Sequence, residues 1–320
     1  MAASATIPRT ARPQGLTALL NADRLTYALV FAAATAILVL TTTLLWELWD
    51  HSLPSRMKFG FHFLTTQTWD PVAGDFGAWP FIFGTVVTST VALLIGVPLG
   101  VGAAIFLAEM APPKLSDAMT FLIELLAAVP SVIFGLIGIF VLIPALLVAV
   151  PPVRDLFSDR LPFFSGPFYG VSIFTAGVVL SLMVVPFIIS VSREVLLAVP
   201  RDMREASLAV GATRWETTWK VVVPYARRGI VGSIFLALAR ALGETMAVTM
   251  VIGNNPKVVT TLLAPGYSIA AVIANEFSEA TGDLYLSSLI ELALVLFAVT
   301  IVINGGARLL ILATTEKGGR

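Results

Sequence analysis

Cysteine is absent from the 320 residues. Disulfides, thiolate metal sites, iron–sulfur clusters and cysteine nucleophiles are thereby excluded. Charge is scarce as well: 12% of residues are Asp, Glu, Lys or Arg, where soluble domains carry about 25%. The 20 basic and 20 acidic residues cancel, and no basic tract stands out, so no nucleic-acid partner is expected. Histidine occurs twice, at His51 and His62, in one polar segment without ligand spacing. Both read as solvated loop residues, and no metal or other cofactor is expected. No Gly-Lys dipeptide occurs, which rules out a Walker A phosphate loop on this chain. Without cysteine, with loop histidines only and no paired outer carboxylates, an enzyme has little support.

What the chain has is apolar length. Hydrophobic residues make up 57% of it, and they fall in long runs. A helix needs about 20 apolar residues to cross about 30 Å of hydrocarbon. Six runs qualify, near residues 27–46, 81–107, 121–148, 168–191, 230–252 and 286–312. Backbone polar groups in lipid must be satisfied within the segment, so these are expected to be helices. The short alternating segments of a membrane β-barrel are missing. The first run follows Arg9, Arg12 and Arg24 but ends in Trp46-Glu47-Leu48-Trp49 rather than in small residues. It reads as an uncleaved anchor with interfacial tryptophans. With the N-terminus inside the cell, inner segments hold 14 Lys and Arg and outer segments hold 5, with Arg240 inside a run. The expected arrangement is an all-α polytopic protein in a bacterial plasma membrane, both termini cytoplasmic. Residues 1–26 form a cytoplasmic segment and 27–320 the transmembrane domain. Breaks at Gly96-Val97-Pro98-Leu99-Gly100, Pro130, Pro144 and Pro186 suit a bundle that flexes or lines a path.

The longest inner loop, 193–229, carries a helix–turn–helix pattern. Pro200 suits a first helical turn. Gly211 suits a left-handed C-terminal cap. Thr213 and Glu216 have capping-box spacing, Trp215 and Trp219 share a helical face, and Pro224 is expected to stop the second helix. Taken alone, this element could lie on lipid headgroups or dock a cytoplasmic partner. Its pattern is Glu205-Ala206-Ser207, three residues, Gly211, nine residues, Val221, one residue, Val223-Pro224. That resembles the EAA loop of ABC importer permeases, with Ser207 in place of the second alanine and valines in place of Ile and Leu. The resemblance implies a type I ABC importer permease fold. It also implies a coupling helix fitting a groove on a separate ATPase, with Glu205, Ala206, Gly211 and Pro224 at the matching positions.

In the fifth run, Arg240 lies eleven residues beyond Gly229, or about 16 Å at 1.5 Å per residue, near the middle of a bilayer. A cation there costs about 2.5 kcal/mol or more, so it should face protein or water. Glu244 is four residues on, and an unbroken helix would let the two pair. The pair is either a structural lock or an oxyanion contact, for which the forked guanidinium suits phosphate. Weaker polar candidates are Glu124 and Glu291, and Thr245 and Thr249, which are expected to back-bond to their own helix.

The stretch Leu236-Ala-Leu-Ala-Arg240-Ala-Leu-Gly-Glu244-Thr-Met-Ala-Val resembles PstC permeases of phosphate-specific ABC importers. So do Ile123-Glu-Leu-Leu-Ala-Ala-Val-Pro130-Ser-Val-Ile-Phe-Gly135 and Ile273-Ala-Asn-Glu-Phe-Ser-Glu-Ala280. The resemblance implies a heterodimer with a PstA-like permease, a PstB-like ATPase pair, a PstS-like phosphate-binding protein outside, and Arg240 and Glu244 as pathway residues. Two rivals remain at this stage. One is a permease for sulfate, molybdate or another oxyanion. The other is an anion transporter or channel that works without ATP.

Overall fold

The computed structural model describes residues 16–157 and 162–316. Arg9, Arg12, Arg160, Lys317 and Arg320, which entered the charge count, lie outside the described residues, as does most of segment 1–26. The chain divides into two units, Met1–Asp50 and His51–Arg320. Over its described residues the first is one long helix, α1 (Leu16–His51), with a 28-residue apolar part, Arg24–His51.

The second unit begins with two short helices, α2 (Leu53–Phe59) and α3 (His62–Thr65), followed by a turn closed by Asp70 and Asp75. α4 (Trp79–Ile105) runs on through a wide π-turn, Phe106–Met110, and α5 (Pro113–Ala127) follows. α6 (Ser131–Ile137), a second π-turn (Gly138–Leu142) and α7 (Ile143–Phe157) make one span, and α8 (Ile173–Leu197) the next. α9 (Arg201–Ala209) and α10 (Arg214–Thr217) form the long loop, and a third π-turn (Thr218–Val222) leads into α11 (Val223–Leu242). α12 (Met246–Val251), α13 (Ile269–Glu276) and α14 (Asp283–Glu316) complete the chain. Six helices are long and apolar enough to cross a membrane, and no strand occurs among the described residues.

α8 is the central span: 67% of its most apolar stretch is buried. It packs on α4 through small residues. A Cβ on Gly100 would lie 2.7 Å from Ile188 Cγ2, and one on Gly177 2.5 Å from Val91 Cγ1. Lipid offers little hydrophobic drive for helix pairing, so close backbone approach and hydroxyl contacts take its place. The Ser192 and Ser233 hydroxyls, 2.7 Å apart and buried, join α8 to α11 in the same way.

At the end of the bundle that carries α2 and α3, aromatic side chains form a second core. Trp69 meets Phe76 and Phe81 edge-on at ring-centroid distances of 4.8 and 4.9 Å. Trp69 Nε1 and the Tyr285 hydroxyl both donate to Glu276 Oε2, at 2.8 and 2.7 Å. Burial pushes the nearby Tyr267 hydroxyl up to about 12, and Asn275 donates to it. This ring fastens the 61–76 segment to α13 and α14.

The structure moves two expected spans. The third does not run over 121–148: α5 ends at Ala127 and the span is Ser131–Leu156. Pro130 is the cause, since its ring disfavours helical backbone at Val129 and Pro130 itself is extended (φ −58°, ψ 141°). The fifth does not run over 230–252: the helix is continuous from Arg214 to Leu242. Pro224 therefore does not stop it. The Val223 N–H reaches back to Thr218 O, five residues away, and this wide turn makes room for the proline ring.

Candidate functional site

Two places carry the candidate residues. One is the break after α11, and the other is the loop of α9 and α10.

Gly243, Glu244 and Thr245 interrupt the helical path between α11 and α12. Glycine weakens a helix, and the Glu244 side chain competes for backbone: its Oε1 accepts the Ala247 N–H at 3.2 Å. Arg240 stands in the last turn of α11, where the exposed carbonyl ends favour a cation. Its guanidinium carbon lies 6.0 Å from the Phe187 ring of α8, within cation–π range. Arg240 is exposed on this chain and Glu244 is half-buried. The expected Arg240–Glu244 pair on one helical face is therefore corrected. The helix ends between them, and no ion pair joins them among the described residues. Each charge sits at a helix end that stabilises its sign.

Glu244 borders a cavity of about 10 Å³ with Thr85, Thr88 and Ser89 of α4 and Ser268 before α13. The Thr88 hydroxyl is buried without a hydrogen-bond partner, while Thr85 Oγ1 accepts the Ile269 N–H at 2.9 Å. α12 is held by α6 and the π-turn after it: a Cβ on Gly135 would lie 2.5 Å from Met250 Sδ, and one on Gly138 2.8 Å from Val251 Cγ1. The break thus opens on a small polar gap bordered by Glu244, with Arg240 in the helical turn before it. Thr249 back-bonds to Thr245 O at 2.7 Å as expected, but Thr245 itself reaches only Gly243 O, at 3.4 Å. Glu124 is exposed. Glu291 is 6% exposed, in α14 beside Ser55 and Arg56 of α2.

The loop matches its sequence pattern closely. Gly211 has φ +91°, the left-handed conformation glycine adopts without a Cβ clash. Thr213 and Glu216 form the capping box, the Thr213 N–H donating to Glu216 Oε2 at 3.0 Å and the Glu216 N–H to Thr213 Oγ1 at 3.2 Å. Trp215 and Trp219 stack edge-on, with ring centroids 5.6 Å apart. α9 buries none of its residues. Glu205 and Ala206 are both exposed on it, with Met203, Leu208 and Val210 as exposed apolar neighbours. Pro224 lies in the first turn of α11.

One contact was invisible to sequence reasoning. Arg204 Nη2 meets Glu109 Oε1 at 2.9 Å, across 95 positions of chain. A lone acid at the polar end of an otherwise apolar span was the only available signal.

Comparison with known proteins gives the family. The model for "Binding-protein-dependent transport system inner membrane component" matches residues 96–314. The chain is 45% identical to the phosphate transport system permease protein PstC of Mesorhizobium japonicum over 301 residues, 93% of this chain and 92% of that one. It is 46% identical to PstC of Pasteurella multocida over 283 residues, 87% of each. In fold it is similar to a chain of a bacterial alginate ABC transporter in complex with an alginate pentasaccharide-bound periplasmic protein. There the TM-score is 0.57 at 18% identity, covering 92% of this chain and 96% of that one. Six apolar helices, an exposed loop helix and this similarity along most of its length make the chain a member of the binding-protein-dependent inner membrane transport components and, among them, of the PstC phosphate permease family.

Proposed function

We propose that the chain is one of two membrane-spanning subunits of an ATP-driven importer, that its solute is inorganic phosphate, and that Arg240 and Glu244 line the route. The observation that carries this is Arg240: a permanent cation in an apolar segment, at a helix break, exposed on the isolated chain. Such a charge calls for an anion or another subunit in front of it. The guanidinium fork matches phosphate oxygens. Glu244, in the break that follows α11, forms no ion pair with it and limits how tightly an anion is held. Discontinuous helices with charged ends are a recurring way to hold a solute at mid-membrane depth.

The remaining parts follow from this reading. The exposed helix α9, with Glu205 and Ala206 and the Gly211 turn, docks on a PstB-like ATPase on the cytoplasmic side. A PstA-like permease completes the pathway, and a PstS-like phosphate-binding protein delivers from outside. Both termini are cytoplasmic. ATP binding closes the ATPase pair, moves α9 and reorients the spans, because ATP binds the closed arrangement better than the open one.

The test is reconstitution of the four components in lipid vesicles, with labelled phosphate and labelled sulfate compared. ATP-dependent phosphate uptake is expected, with Arg240→Gln abolishing it while the complex still assembles. Preference for sulfate would overturn the solute, and full uptake by Arg240→Gln would remove Arg240 from the route.

A further inference from the structure

α9 is tied to the rest of the bundle by very few contacts. None of its residues is buried, so no apolar packing fixes it. Among the described residues, its side-chain hydrogen bonds to other elements come from Ser207 and Arg204. Ser207 Oγ meets Thr217 Oγ1 at 3.0 Å. Arg204 reaches Glu109 twice, Nη2 to Oε1 at 2.9 Å and Nε to Oε2 at 3.3 Å. Arg204 also donates from Nη2 to Leu196 O at 2.8 Å and from Nη1 to Val199 O. All three guanidinium nitrogens are therefore used, and the fork is held in one orientation.

The bond to Leu196 O lands on α8, and the other two links lie at wide helical turns. Glu109 lies inside the π-turn Phe106–Met110 that ends α4, and Thr217 immediately precedes the π-turn Thr218–Val222 that starts α11. Such turns interrupt the regular ladder and are where helices bend. The Phe106–Met110 turn is braced from its other side, since Ser116 Oγ donates to Leu107 O at 2.9 Å and Arg193 donates to Ser116. α4 in turn carries Thr85, Thr88 and Ser89, which border Glu244 at the break.

We infer that Arg204 is a positioning residue that carries displacement of α9 into α4 through Glu109. The inference rests on reading α9 as the ATPase-docking helix. Glu109 gives the clean test, because at 9% side-chain exposure it is too buried to touch a docked ATPase. An effect of Glu109→Gln on coupling therefore passes through Arg204.

In the reconstituted four-component complex, Glu109→Gln is expected to keep the ATPase bound and hydrolysing. Uptake per ATP should fall about tenfold, the scale of losing a charge-assisted bond. The exchange Arg204→Glu with Glu109→Arg should recover most of it, and Arg204→Lys, which lacks the fork, should fall between. A second readout does not depend on the solute. With probes on Val210→Cys and Leu99→Cys, ATP should leave the α9–α4 distance unchanged in the otherwise wild-type chain and change it when Glu109→Gln is added. If the wild-type complex imports no phosphate, the solute reading fails, and the probe distance still decides this inference. Wild-type coupling in Glu109→Gln, loss of the ATPase from that variant, or an unchanged probe distance in it would overturn the role of Arg204.

Discussion

At residue scale, a few side chains are set by what surrounds them and others by their own backbone. Gly84 belongs to the first kind: a Cβ there would lie 2.0 Å from Tyr267 O, a backbone atom that cannot yield easily. Gly84→Ala is expected to destabilise the protein by about 1–3 kcal/mol, the usual range for overpacking. A lowered unfolding temperature in detergent would register it, and an unchanged one would mean that the segment before α13 moves freely. Gly211 belongs to the second kind, because its φ of +91° was readable from its place after an amphipathic helix, and a Cβ there would meet nothing within 4 Å. Gly211→Val costs about 1–3 kcal/mol of local strain with no packing clash. It should leave global unfolding nearly unchanged while reducing the amount of ATPase that co-purifies. For Glu244, removal of the carboxylate in Glu244→Ala takes away the Ala247 cap and lifts the restraint on anion release. A cap of this kind is worth about 1 kcal/mol, so folding should survive, while phosphate uptake should drop with saturation at lower concentration. Unchanged uptake would make Glu244 a cap and nothing more.

At the scale of elements, proline and glycine decided where helices end, but not by one rule. Pro130 breaks the third span because the chain goes extended at Pro130. Pro224 breaks nothing, because a π-turn absorbs it. Both look alike in sequence, and the difference lies in whether a neighbouring turn can widen. The break at 243–245 was likewise hidden: Arg240 and Glu244 have ideal spacing for one helical face, and Gly243 together with the capture of the Ala247 N–H by Glu244 separates them. The packing of α12 on Gly135 and Gly138 then fixes α12 on its own path. Gly135→Leu is expected to push α12 off α6. Overpacking of that size costs about 1–3 kcal/mol, and uptake should fall more than thermal stability does, because α12 carries the far edge of the break. The α9–α10 loop was legible almost residue by residue, since its cap, its turn and its capping box are local interactions.

At the scale of the whole molecule, the absence of cysteine makes topology directly measurable. Val72→Cys, at a tip where Val72 is 98% exposed, and Val210→Cys, after α9 where Val210 is 85% exposed, each introduce a single thiol. In intact cells a membrane-impermeant thiol reagent should label Val72→Cys and spare Val210→Cys until the membrane is opened, and the reverse pattern would invert the proposed orientation. Composition and hydrophobic run length by themselves determined an all-helical protein with six apolar spans. The reason is that lipid leaves a backbone no other partner, and that constraint acts on each segment separately. The charge count bears on orientation in the same segment-by-segment way. Tertiary structure alone decided which spans share the core, through glycine contacts such as Gly100 with Ile188 and the Ser192–Ser233 hydroxyl pair. It alone decided that Arg240 ends one helix while Glu244 falls in the break after it, and that Arg204 finds Glu109 95 positions away. These depend on which surfaces meet, and the energy of a meeting between distant segments is not written in the spacing of either one.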